Sequence, residues 1–295
     1  MRVALLGFGL IGGSIAHALR RAGPDWSIAA WSPTGTGPHA ARAGGFVDAA
    51  PHDPTDAVRN ADLVVLTAPP IACLDLLGRL AGPLRGALEP DAVITDVAST
   101  KRAIVGRAVE LGLRFVGGHP MAGREVSGFG AASADLFDDR PWVVVPATAA
   151  GSPGDPAAEE RVVALARACR ARPIMMSAAD HDSASAGISH LPLLVAAAVV
   201  EAVVGNDDAG THPDWAAASR LAATGWESIT RLARGDPTMG AGILATNGDA
   251  VAEPLRRLRD GLDGWLAELE RTGGPDADAL RRRFEAARRR LEDGR

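Results

Sequence analysis

A strand pattern, a glycine cluster and a helix pattern follow one another without a gap at the start of this chain. RVALL (Arg2 to Leu6) runs straight into GFGLIGGS (Gly7 to Ser14), and an apolar helical run continues to Arg21. A buried strand that turns at once into a helix opens a βαβ unit, and in that setting the glycines of GxGxxG have separate tasks. Gly7 allows the tight turn, Gly9 lets a pyrophosphate approach the backbone, and Gly12 lets helix and strand pack closely. Leu10 and Ile11 carry free N–H groups of the helix N-terminus, which favour phosphate. A structural turn can use the same glycines. Their place between strand and helix points to dinucleotide binding.

β/α alternation then continues. Ser27–Trp31, Leu63–Ala68 (stopped by Pro69-Pro70) and Ala92–Val97 read as core strands, with helices over Cys73–Leu80 and from Lys101 through Glu110. Trp142–Val145 and Pro173–Met176 are two more strands around a helix Ala157–Ala171, and Ala147–Pro156 is a surface loop. After Ser177 only helix patterns remain. The expected architecture is therefore a Rossmann-type doubly wound α/β sheet domain, 1–178, followed by an all-α domain, 179–295. Its first helix is expected to be capped by Asp180 or Asp182, to run to Val204, and to kink near Ile188 because Pro192 lacks an N–H. Shorter helices follow over Pro213–Ala222 and Glu227–Ala233. A long one runs from Thr238 past Glu270, interrupted by Pro254 and glycines, and Asp276–Arg295 forms an Arg-rich solvated helix.

Chemistry concentrates in FVGGHPMAGREVSGF (Phe115 to Phe129), where a Gly-Gly break precedes His119, Arg124, Glu125 and Ser127. Pro120 keeps His119 out of a regular helix. An extended run ending in such a loop resembles the C-terminal lip of a parallel strand, where open α/β sheets bind ligands; an ordinary surface loop is the alternative. Ser99 and Lys101 lie at another strand end, expected beside the glycine loop, and Lys101 is the one lysine among 31 basic residues. Arg231, between Ile229 and Leu232 on a buried-looking element, calls for an anionic partner. His181 and His190, nine positions apart, fall on opposite faces of a straight helix, so at most one faces a cleft unless the kink turns the other. A metal site from His181, Asp182 and His190 is not expected.

The end of the second strand reads Ser32-Pro33-Thr34, without the carboxylate that bonds ribose hydroxyls in NAD-selective folds. Ser32, Thr34 or Arg42 can meet a 2′-phosphate there, so NADP is favoured over NAD, unless this edge does not discriminate. A net charge of −5 argues against nucleic-acid and anionic-membrane partners. Cys73 and Cys169 show no metal spacing, which fits a reduced compartment, the cytoplasm. No leader pattern and no bilayer-spanning run are expected.

Taken together, GFGLIGGS, DVASTK (Asp96 to Lys101), GGHPMAGREVSG (Gly117 to Gly128), ADHDSASAGISHLP (Ala179 to Pro192) and ITRLARGDP (Ile229 to Pro237) resemble the prephenate dehydrogenase family. The likeness covers roughly Arg2 to Glu270, and the second to fourth motifs are far more specific than the glycines. It implies a nucleotide-binding domain, a helical dimerisation domain that makes a homodimer, and a cleft between them. It also implies oxidative decarboxylation of prephenate to 4-hydroxyphenylpyruvate, or of arogenate to tyrosine, with NAD(P)⁺ as hydride acceptor. By the same matching His119 is the catalytic histidine, Ser99 a substrate and nicotinamide contact and Arg231 the carboxylate clamp, while Glu125, His190 and Lys101 fall at the substrate site. Three positions depart from the pattern: Leu193 where a second histidine is common, Trp226-Glu227-Ser228 where an aromatic-Arg-Asp is usual, and Gly240 where a Trp is often found. They leave prephenate versus arogenate open. A 3-hydroxyacid or imine-type dehydrogenase, or a nicotinamide-sensing protein without catalysis, leaves the His119 loop unexplained.

Overall fold

The computed structural model describes residues 1–147, 154–208 and 210–294. Seven strands form one sheet: β1 (Arg2–Leu6), β2 (Ser27–Trp31), β3 (Leu63–Leu66), β4 (Val93–Asp96), β5 (Phe115–Pro120), β6 (Pro141–Val145) and β7 (Arg172–Met175). Their order is β2-β1-β3-β4-β5-β6-β7, parallel throughout except for the antiparallel pairing of β5 with β6. The central strands read as unbroken apolar runs because both faces of the sheet are covered. Val3 and Leu5 pack with Ile15, Leu19 and Val162 beneath α1 (Leu10–Ala22) and α6 (Pro156–Ala168). Ala4 and Leu6 face the other way, onto Leu77, Leu80 and Ile104. Those three come from α4 (Pro70–Ala81) and α5 (Arg102–Glu110), on the face that also carries α3 (Pro54–Val58), whereas Ala41 of α2 (Thr36–Ala43) packs on the first face.

β3 lies between β1 and β4, so Ser99 and Lys101 are not beside the glycine loop as the sequence reading expected. The chain steps from β1 to β2 on one side and to β3 on the other. The glycine loop opens at that reversal, where doubly wound sheets take their ligands. The Gly-Gly of the His119 segment is not a break either. Gly117 and Gly118 sit inside β5, and a Cβ on Gly118 would lie 2.6 Å from the carbonyl oxygen of Asp96. Only glycine lets β5 come this close to the end of β4.

After β7 the described elements are helical: α7 (Ala178–Ser185), a π-helical turn Ala186–His190, α8 (Leu191–Val204), α9 (Trp215–Ala218), α10 (Thr224–Thr230), a 3₁₀ turn Arg231–Arg234, α11 (Pro237–Leu269) and α12 (Ala277–Asp293). The exception is one short antiparallel pair that the helix-only sequence pattern did not announce, β8 (Gly205–Asn206) with β9 (Gly210–Thr211). Ser177, not Asp180 or Asp182, caps α7, its hydroxyl accepting from the Asp180 N–H at 3.0 Å. Asp182 is instead fully buried within the helix. The proline-induced distortion takes the form of the π turn rather than a simple kink. In α11 the interruption falls at Asn247 (φ −137, ψ 21), while Pro254 is accommodated within the helix. Much of the expected loop Ala147–Pro156 lies outside the described residues.

One helical stretch among the described residues, Ala178–Val204, is long and apolar enough by length and composition to cross a membrane, contrary to the sequence expectation. It also carries His181, Asp182 and His190, all buried against the rest of the protein.

Candidate functional site

The glycine loop has the shape its sequence demands. Gly7 adopts φ +89, and a Cβ there would stand 2.6 Å from the Thr67 carbonyl oxygen. A Cβ on Gly12 would stand 2.7 Å from the Thr67 hydroxyl, so the α1–β3 approach needs glycine as well. Gly9 differs: nothing lies within 4 Å of the place its Cβ would take. That open face adjoins the start of α1, where no side chain caps the first turn and the N–H groups of Leu10 and Ile11 have no helical acceptor. These residues fit the pyrophosphate of a dinucleotide. At the end of β2, Ser32 is half-buried and Thr34 exposed in a turn closed by the Gly35 N–H to the Ser32 carbonyl at 3.1 Å; Arg42 is exposed on α2.

His119 ends β5 with its side chain buried, and its Nδ1 lies 2.7 Å from Nε2 of His181. On the far side of the His181 ring, Nδ1 lies 2.8 Å from Oδ1 of Asp182. Asp182 in turn accepts from the main-chain N–H groups of Lys101 (2.7 Å) and Arg102 (2.8 Å) at the start of α5. A carboxylate can only accept, so Nδ1 of His181 carries the proton. In the tautomer whose Nε2 bears no proton, His181 accepts there from Nδ1–H of His119, and Nε2 of His119 keeps its lone pair. The hydrogen bonds to Asp182 hold its carboxyl below the usual range despite burial. Burial, then the His181 ring, the Lys101 ammonium and His190, hold the His119 pKa well below that of a free imidazole. His119 is therefore neutral at neutral pH, a base with a fixed tautomer.

The π turn brings His190 to the same place. It absorbs one residue, so nine positions count as about eight, and the second ring returns to within roughly a quarter-turn of the first. Both His181 and His190 are buried at the site, and His190 helps keep His119 neutral. Asn247, which sequence reasoning missed, donates from Nδ2 to the Asp182 carbonyl at 2.9 Å and lies 3.1 Å from Nδ1 of His190.

Two family descriptions fit the chain: prephenate dehydrogenase, nucleotide-binding domain, over residues 15–172, and prephenate dehydrogenase, dimerization domain, over 177–285. The prephenate dehydrogenase of Bacillus subtilis (strain 168) is 32% identical over 97% of this chain and 74% of its own length. The chain belongs to the prephenate dehydrogenase family. Among solved structures, the arogenate dehydrogenase of Synechocystis is similar at a TM-score of 0.74 and 30% identity, covering 99% of this chain and 100% of that one. The prephenate dehydrogenase of Aquifex aeolicus, solved with hydroxyphenyl propionate and NAD⁺, shares the fold at a TM-score of 0.83 and 24% identity, covering 99% of this chain and 98% of that one.

Not every residue matched to the prephenate dehydrogenase motifs stands at the site as expected. Lys101 is fully buried, and its ammonium is paired with Asp96, which is fully buried too. A substrate contact is therefore not what its side chain offers. Asp96 also accepts from Gly118 N–H (3.0 Å) and Ala98 N–H (3.1 Å), so the pair ties β4 to β5 beneath His119. Arg231 is not buried: its side chain is 56% exposed, in the 3₁₀ turn after α10. It pairs with Glu125 of the loop after β5, so the anionic partner that the sequence called for is supplied across the two domains. Ser99 is half-buried at the end of β4. Leu193 and Gly240, two departures from the family pattern, are neighbours: a Cβ on Gly240 would stand 3.8 Å from the Leu193 side chain. Trp226 is half-buried and Glu227 exposed on α10.

Proposed function

We propose that this chain oxidatively decarboxylates prephenate to 4-hydroxyphenylpyruvate, passing a hydride to NAD(P)⁺ in tyrosine biosynthesis, with arogenate as the alternative substrate. The observation that carries the reading is the Asp182–His181–His119 chain of hydrogen bonds, which ends on a neutral imidazole near the C-terminal end of β5, at the same edge of the sheet as the dinucleotide cradle after β1. The bound nicotinamide supplies the hydride acceptor. Hydride leaves the ring carbon that carries the hydroxyl, and that oxygen becomes a carbonyl as its proton passes to Nε2 of His119. The resulting imidazolium donates through Nδ1 to His181, which Asp182 steadies. The bond to the ring carboxylate then breaks, carbon dioxide leaves, and the electron pair completes the aromatic ring while the oxygen regains a proton. Arg231 suits a planar substrate carboxylate, which would take the place of Glu125 on the guanidinium. Ser99 at the end of β4 contacts substrate and nicotinamide.

NADP⁺ serves at least as well as NAD⁺ in this reading, because Ser32 and Thr34 stand where an acid would repel a 2′-phosphate. The domains divide at 178/179, the helical domain forms a homodimer, and two buried free cysteines fit a reducing compartment, the cytoplasm. The test is incubation with prephenate or arogenate and each cofactor, followed at the reduced-nicotinamide absorbance. Failure to reduce either cofactor with either substrate sinks the proposal.

A further inference from the structure

Two histidines approach the site, and their hydrogen bonds run in opposite senses. The orientation of the Asn247 amide is fixed from both sides. Its Oδ1 takes a hydrogen bond from the Arg102 guanidinium at 3.1 Å, and Arg can only donate. Its Nδ2 gives one to the main-chain carbonyl of Asp182 at 2.9 Å, and a carbonyl can only accept. The amide group facing Nδ1 of His190 at 3.1 Å is therefore an N–H donor, and that ring nitrogen must accept. In the neutral imidazole the proton then sits on Nε2.

That Nε2 is buried and has no hydrogen-bond partner. The main-chain carbonyl of Ser99 is close enough to favour the protonated ring, yet no hydrogen bond forms. A buried N–H left unpaired costs stability and calls for an explanation. So does the backbone of Asn247, which leaves helical geometry in the middle of a 33-residue helix. One function explains both.

We infer that Asn247 is a positioning residue that holds His190 as a hydrogen-bond donor through Nε2, aimed at an acceptor oxygen of the substrate. His119 is held by Asp182 and His181 in the opposite tautomer, as an acceptor. The pair thus offers a substrate one lone pair and one N–H. His119 meets the hydroxyl that must lose its proton, and His190 meets an oxygen that has none, a carboxylate above all. The choice of oxygen rests on the proposed function; the tautomer does not.

The test begins with the wild-type holoenzyme labelled with ¹⁵N-histidine, in which long-range ¹H–¹⁵N spectra show which ring nitrogen bears the proton. His190→Gln assigns the resonance. Protonation at Nε2 is expected for His190, and protonation at Nδ1 overturns the inference whatever substrate the enzyme turns over. Asn247→Leu, close in size but without the donor, should let the two His190 tautomers mix. It should also raise KM for prephenate about 3- to 10-fold, the worth of one hydrogen bond, with NAD⁺ affinity within about 2-fold. Should Asn247→Leu lose its fold, Asn247→Gln, which retains the amide, is read by the same spectrum and must keep Nε2 protonated. An unchanged tautomer in the Leu variant overturns the role of Asn247. A KM effect confined to the cofactor overturns the assignment of the donor to substrate. Expected spectra with no turnover of prephenate would leave the tautomer standing and sink only the activity.

Discussion

At the scale of single residues, the site depends on which side chains can only accept and which can only donate. Removing the base while keeping the shape is the sharpest probe of this. His119→Asn should leave cofactor affinity nearly intact and lower kcat by about 10²-fold or more, since general-base catalysis supplies about 10²- to 10⁴-fold. Near-normal turnover at neutral pH would take His119 out of the mechanism. Arg231→Ala should act mainly on KM for substrate, because a charge-assisted contact present in ground and transition states alike is lost. An unchanged KM would make the exposed Glu125 pair merely structural. Ser32→Asp should move preference towards NAD⁺, and a wild type that already strongly prefers NAD⁺ would refute the reading of that turn. His119 stood out in the sequence because proline and glycines mark an unusual setting, whereas the apolar neighbours of Arg231 suggested a burial that the structure does not show. Asp182 and Asn247 were not. Each is an ordinary polar residue in a helical stretch; besides the adjacent His181, Asp182 reaches Lys101 81 residues away, and the partners of Asn247 lie 57 to 145 residues away, which no local pattern reveals.

Among the elements, the glycine turn separates what folding needs from what binding needs. Gly7 and Gly12 face Thr67 at distances no Cβ tolerates, whereas Gly9 faces open space. Gly7→Ala should therefore lower Tm by several degrees, combining positive-φ strain of about 1–2 kcal/mol with a backbone clash. Gly9→Ala should melt like the wild type yet lose cofactor affinity, as followed by fluorescence titration with NAD⁺ and NADP⁺. Equal Tm losses in both variants would mean that the loop is purely architectural. The strands were readable from the sequence, β2 to the residue, because their apolar runs are bounded by turn residues. The π turn was not, since reading at a 3.6-residue period cannot show where a helix takes in an extra residue. The same reading put His181 and His190 on opposite faces.

For the whole molecule, burying histidines in their neutral form links stability to pH. The pKa values of His17, His119 and His190 are all lowered, chiefly by burial. Below about pH 6.5 the unfolded chain takes up protons that the folded one still refuses. Stability is thus fully present above that pH and is lost as pH falls towards the lowered folded-state values. Each fully refused proton contributes a slope of about 1.4 kcal/mol per pH unit. Denaturant melts at pH 7.5, 6.5 and 5.5 should show falling stability, with a shallower fall in His119→Asn. A flat profile would show that these rings are solvated in solution. Fold class was the most legible property of all, because alternation of strand and helix, then helix alone, is written along the whole length of the chain.

The apolar surface of Ala178–Val204 has one more consequence. Of α8 only Ala196 is buried within a single chain, and Ile188 in the preceding π turn is 72% exposed. Such a face belongs to the family's dimerization domain, and the segment carrying it also carries His181, Asp182 and His190. Covering it with a second copy makes folding a reaction of second order. The melting temperature should then climb as the enzyme is concentrated, each tenfold step being worth about 1.4 kcal/mol per dimer. Dilution would loosen His181 and His190 before any residue at the proposed site had been touched.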